Sequence, residues 1–90
     1  MSDPEYYSII SRESVEIAAG RDDALGALAH RMLTGLDEQA AFRAGVKIYL
    51  ANTDRGNRRF AIAVLAKVFG ANRTELKQLL RFWGLVNERD

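Results

Sequence analysis

The stretch IAVLAKVFGANRTELKQLLR, residues 62–81 of a 90-residue chain, holds two helical segments around a single break. Upstream of the break, residues 58–69 predict a helix with Phe60, Ala61, Val64, Leu65 and Val68 on an apolar stripe. Gly70 stops it, because glycine alone enters left-handed backbone geometry without steric cost. Asn72 then stands three residues before Glu75, the spacing of a capping box, so a second helix should start at Arg73. Its apolar residues Leu76, Leu79, Leu80 and Trp83 recur at i, i+3, i+4 and i+7, which makes one buried face. Gly84 is placed to take the C-terminal left-handed position, with Leu85 supplying the accompanying apolar contact.

Working upstream, the loop 52–57 (NTDRGN) combines the residue types that favour turns. Before it, Asp37 predicts the cap of a helix through about residue 51, with Phe42, Val46 and Tyr49 on one face and Ile48 nearby. Asp22 is the expected cap of a helix running to about Leu33, with Leu25, Leu28, Ala29, Met32 and Leu36 at helical spacing and Gly35 at its end. Residues 11–19 (SRESVEIAA) read as a short helix closed by Gly20. Residues 1–10 carry Tyr6, Tyr7, Ile9 and Ile10, an apolar arm expected to pack on the helices after it. Strand signals are scarce, so the expected fold is all-α: a single compact domain of four or five short helices, the last two forming a helix–turn–helix. It divides into the arm (1–10), an acidic helical half (11–56) and a basic half (57–85).

Composition narrows the function classes. An apolar fraction of 48% with 28% charged residues suits a globular chain and is too apolar for disorder. Cysteine is absent, which excludes disulfides and thiolate metal sites. The single histidine, His30, lies off the apolar stripe of its helix and reads as a surface or boundary residue. Ser8, Ser11 and Ser14 have no base at a telling spacing, Gly26, Gly35 and Gly45 do not form a phosphate-cradling loop, and the pair Asp22–Asp23 reads as helix capping. No catalytic residue, metal site, cofactor or small-molecule substrate is therefore expected. The N-terminus is acidic where a secretory signal would be basic, and the longest apolar run, residues 60–66, is too short to span a membrane, so a cytoplasmic protein is expected.

Net charge is +1, but residues 1–42 carry three basic and eight acidic side chains while residues 43–90 carry ten and four. This segregation fits polyanion binding by the basic half, or attraction between the two halves within the fold or between subunits.

Residues 62–81 resemble the DNA-binding helix–turn–helix family. The fifth residue of the twenty, usually alanine there, is Ala66; the ninth, usually glycine, is Gly70; the apolar fourth, eighth, tenth, fifteenth and eighteenth are Leu65, Phe69, Ala71, Leu76 and Leu79. Ala71 is smaller than the residue common at its position. Arg73, Lys77 and Arg81 repeat at i, i+4 and i+8, one expected stripe opposite Leu76, Leu80 and Trp83, with Thr74 and Gln78 beside it. In this family the start and exposed face of the second helix enter the major groove, which implies base-reading positions at Asn72, Arg73, Thr74, Lys77 and Gln78. Arg and Lys suit guanine edges, Gln suits adenine, and Thr suits phosphate or a thymine methyl. Arg58 and Arg59 are expected to clamp phosphates, extended by Arg55 and Lys67. Phe82 and Trp83 beside Arg81 also suit stacking on single strands, although Trp83 completes the buried stripe.

The resemblance implies a small sequence-specific double-stranded DNA-binding transcriptional regulator of bacterial, phage or plasmid type, acting as a homodimer whose partner surface is expected on the acidic N-terminal half. The alternative is a helical protein–protein interaction module, such as a phage-type inhibitor or adaptor, with no DNA binding.

Overall fold

Helix caps set the boundaries. The computed structural model describes residues 5–87, so the first four residues of the expected arm and the last three of the chain lie outside it. Within that span lie six α-helices: α1 Tyr6–Ile9, α2 Arg12–Ala18, α3 Ala24–Thr34, α4 Glu38–Ala51, α5 Arg58–Val68 and α6 Arg73–Phe82, with a short 3-10 turn, Arg55–Asn57, before α5. No strand forms among the described residues. A side-chain oxygen caps four of the helices: Ser11 accepts from the Ser14 N–H at 3.3 Å, Asp23 from Gly26 at 2.9 Å, Asp37 from Ala40 at 3.1 Å and Asn72 from Thr74 at 2.9 Å. Each satisfies a backbone donor left without an intrahelical partner.

Several expectations need correction. The helix count is six because the apolar arm is itself curled: Tyr6, Ile9 and Ile10 stand at helical spacing and are all buried, so the arm is part of the core. Asp23, not Asp22, caps α3. The Arg21 guanidinium holds the Asp23 carboxylate at 2.8 and 3.0 Å. Gly26 lets the Arg21 carbonyl fold over the first turn, where an added Cβ would lie 2.0 Å from that oxygen. Gly35 ends α3 as expected but at φ −82°, in extended rather than left-handed geometry, and Leu36 beyond it is fully exposed. On α4 the third core position is Leu50; Tyr49 is half-buried at its side and Ile48 is exposed. On α5 the buried face is Ala61, Ile62, Leu65 and Ala66, which leaves Phe60 72% exposed.

Phe42 of α4 joins the acidic and basic halves in one core. Its ring lies 5.4 Å from Tyr6, 5.3 Å from Phe69 and 6.1 Å from Trp83, centroid to centroid. Those separations favour edge-to-face and tilted aromatic contact. The Tyr6 hydroxyl donates to Glu38 at 2.8 Å, and Arg12 pairs with the same carboxylate, so α1, α2 and the start of α4 are tied at one point. Helices α3 and α4 form an antiparallel hairpin packed so closely that a Cβ on Gly45 would lie 2.1 Å from Leu28 Cδ1.

Candidate functional site

The connection between α5 and α6 is built from one glycine and one asparagine. Gly70 takes φ +66°, and the Ala71 N–H reaches back to the Ala66 carbonyl at 2.8 Å, a bond that closes the end of α5. The Phe69 carbonyl accepts from the Ser11 N–H at 3.0 Å, which seats the turn on the first turn of α2. Asn72 then accepts from both Thr74 and Glu75, and α6 begins.

Leu76, Leu79 and Leu80 are buried to within 1% and anchor α6 from below. At about 100° per residue, the direction opposite these leucines falls among Thr74, Gln78 and Arg81, with Arg73 and Lys77 along one shoulder and not, as expected, in one outward stripe with Arg81. Lys77 is accordingly half-buried and the other four are exposed. The five side chains border a single shallow depression on the surface. Three cations and two hydrogen-bonding side chains thus share one face, and the helix's own acid, Glu75, projects to the opposite flank. Beyond Arg81, Gly84 takes φ +76° and the Leu85 N–H donates to the Leu80 carbonyl at 2.9 Å, a second left-handed cap of the expected kind.

The remaining basic candidates are placed elsewhere. Arg55 lies in the 3-10 turn, and Arg58 (half-buried) and Arg59 (exposed) occupy the first turn of α5, at the end remote from Gly70. Lys67 borders a different depression, shared with Ile17 and Arg21 between α2 and α5. One cation near α6 has no signal in the local sequence pattern: Arg43 of α4, whose guanidinium carbon sits 5.9 Å from the Trp83 ring centroid. Only the packing of α4 across the C-terminal end of α6 brings it there. Trp83 is half-buried against the core, whereas Phe82 is 57% exposed.

The serines have structural roles: Ser11 caps α2, and Ser14 lies directly beneath Gly70. Among the described residues, no group of three or more His, Cys, Asp or Glu side chains is gathered to hold a metal ion. No helix in that span is long and apolar enough to cross a membrane. No protein-family model matches the chain, and no curated protein or solved structure matches it.

Proposed function

We propose that this chain is a small sequence-specific double-stranded DNA-binding regulator that lays α6 in the major groove and acts as a homodimer, with α5 and α6 serving as a helix–turn–helix. The observation that carries the reading is the α6 face: Arg73, Thr74, Lys77, Gln78 and Arg81 border one depression above a fully buried leucine row. Arg73 and Lys77 are the side chains to read guanine, Gln78 to read adenine, and Thr74 to contact a phosphate or thymine methyl at the helix start. Arg81 continues the face, and Arg55, Arg58 and Arg59 supply phosphate contacts from the start of α5. The alternative, a protein-interaction module, draws its support from exposed apolar side chains away from α6, chiefly Ile17 and Phe60.

The test is binding of the purified chain to mixed-sequence duplex DNA over a salt series, beside an Arg73→Ala, Lys77→Ala, Arg81→Ala variant. Each cation that neutralises a phosphate contributes a slope of about −0.9 in log affinity against log salt. The triple variant should bind more weakly and less steeply, and Gln78→Ala should lower the preference among duplex sequences. No binding at low salt, or a salt slope unchanged in the triple variant, refutes the proposal.

A further inference from the structure

Sharing no residue with the α6 face, an apolar groove of about 350 Å³ lies between α3 and α4, with Leu25, Leu28, Gly45, Ile48 and Tyr49 in its walls. It runs on past Tyr49, Asn52 and Thr53 into a depression whose rim carries Phe60. Two of the largest exposed apolar side chains, Ile48 at 56% and Phe60 at 72%, stand on this one surface. Phe60 is apolar and adjacent to the buried row of α5, yet contributes little to the core. A patch of this kind marks a contact surface.

Its charges are arranged to fit a second copy of the same surface. Arg31 lines the groove and Asp54 lines the adjoining depression, and neither carries an ion pair among the described residues. The two lie at opposite ends. Leu28 and Gly45 meet at the same level of the hairpin. Arg31 is about one turn from that level in one direction, and the end of α4 at Ala51, after which Asp54 follows, is nearly two turns from it in the other, a backbone separation of roughly 13 Å at 1.5 Å per residue. A cation at one end and an anion at the other make the surface self-complementary: a two-fold axis through its middle turns the patch onto itself, so each Arg31 meets the other copy's Asp54.

We infer that this α3–α4 surface is where a second copy of the chain docks. Phe60 of each copy reaches the Leu28–Ile48 groove of the other, and two Arg31–Asp54 pairs close the rim. The inference deepens the dimeric reading above, and rests on it for the choice of a second copy. The groove lies in the acidic half where the partner surface is expected, and Tyr6, Ile9 and Ile10 of the arm, being buried, take no part in it. No α6 residue lines the groove or its extension, so docking there leaves the α6 face uncovered.

The experiment is sedimentation equilibrium of the full chain without DNA, with DNA binding measured separately so that failure of one reading is not taken for failure of the other. The wild-type chain should dimerise. Ile48→Glu, at an exposed position and so expected to keep the monomer's helical circular dichroism, should weaken the dimer at least about tenfold. Arg31→Asp should weaken it by setting two acids against each other, and the double variant Arg31→Asp, Asp54→Arg should restore it. Among the described residues no ion pair joins these two charges within the chain, so restoration reports contact between copies. A chain that stays monomeric, a dimer indifferent to Ile48→Glu, or a charge swap without restoration overturns the inference.

Discussion

Replacing Gly70 with alanine separates two costs that the structure makes distinct. The first is backbone strain, because Gly70 has φ +66° and an L-residue in left-handed geometry costs about 1–2 kcal/mol. The second is contact. The new Cβ would lie 2.3 Å from Ser14 Oγ and 2.8 Å from Ser11 Cβ. The serine hydroxyl can rotate away, but Ser11 is held by its N–H bond to the Phe69 carbonyl at 3.0 Å and by its cap on Ser14. Relieving the overlap must shift the start of α2 or lift the turn, an overpacking cost of about 1–3 kcal/mol. A more restricted unfolded chain returns about 0.4–1 kcal/mol. The net loss is about 1–4.5 kcal/mol, which at about 4–8 °C per kcal/mol for a domain of this size lowers Tm by roughly 5–35 °C. The control is Gly84→Ala. Gly84 has φ +76° but nothing within 4 Å of an added Cβ, so that variant carries the strain alone. Urea and thermal unfolding followed by far-ultraviolet circular dichroism give both values. If Gly70→Ala costs no more than Gly84→Ala, the α5–α6 turn is not seated on α2, and α2 does not position α6.

Two further predictions concern pH. Burial, and the bond to Glu38, push the Tyr6 hydroxyl well above its ordinary value of 10.0. Its neutral form is therefore favoured in the fold, so this stabilisation is complete below about pH 10 and falls away as pH rises above it. Tyr6→Phe should lose about 1 kcal/mol near neutrality, and its stability should decline less steeply in an alkaline titration of Tm; matching slopes would refute this. The Asp23 carboxyl is held below its ordinary 3.8 by the Arg21 guanidinium and then by the Gly26 N–H. That contribution is present above the ordinary value and is lost as pH falls below it. Asp23→Ala should therefore lower Tm at neutral pH and approach the wild-type value in acid, whereas Asp22→Ala should change little. Equal effects of the two variants at neutral pH would contradict the assignment of the cap.

Local chemistry was legible wherever a few adjacent residues decide the outcome. Ser, Asp and Asn side chains bond backbone donors two or three residues ahead, and glycines at 70 and 84 accept positive φ, so the boundaries of α4, α5 and α6 follow from the chain itself. The α6 face was legible only in part: the leucines fix which side is buried, but the outward direction falls among Thr74, Gln78 and Arg81 and leaves Lys77 half-buried, not along the expected stripe Arg73, Lys77 and Arg81. At Asp22 and Asp23 the rule names two candidates, and the choice between them depended on Arg21 and on the close fold of the chain at Gly26.

Ambiguity arose where apolar residues outnumber the positions a helix can bury. Helix α5 offers one stripe through Phe60, Val64 and Val68 and another through Ala61, Ile62, Leu65 and Ala66; the neighbours admitted the second, whose alanines permit close approach. On α4, Leu50 displaced Tyr49 from the core row by the same competition. The exposure of Phe60 and Ile48 reflects those choices, as does the approach of Arg43 to Trp83 across two helices distant in sequence. The chain alone therefore determined an all-helical molecule, the caps at Asp37 and Asn72, the glycine ends at 70 and 84 and the buried side of α6, because these depend on neighbours within one or two turns. Which faces became core, and which apolar side chains were left on the surface, was decided only when six helices competed for one small interior, since burial is a property of packed pairs and no single helix specifies its partner.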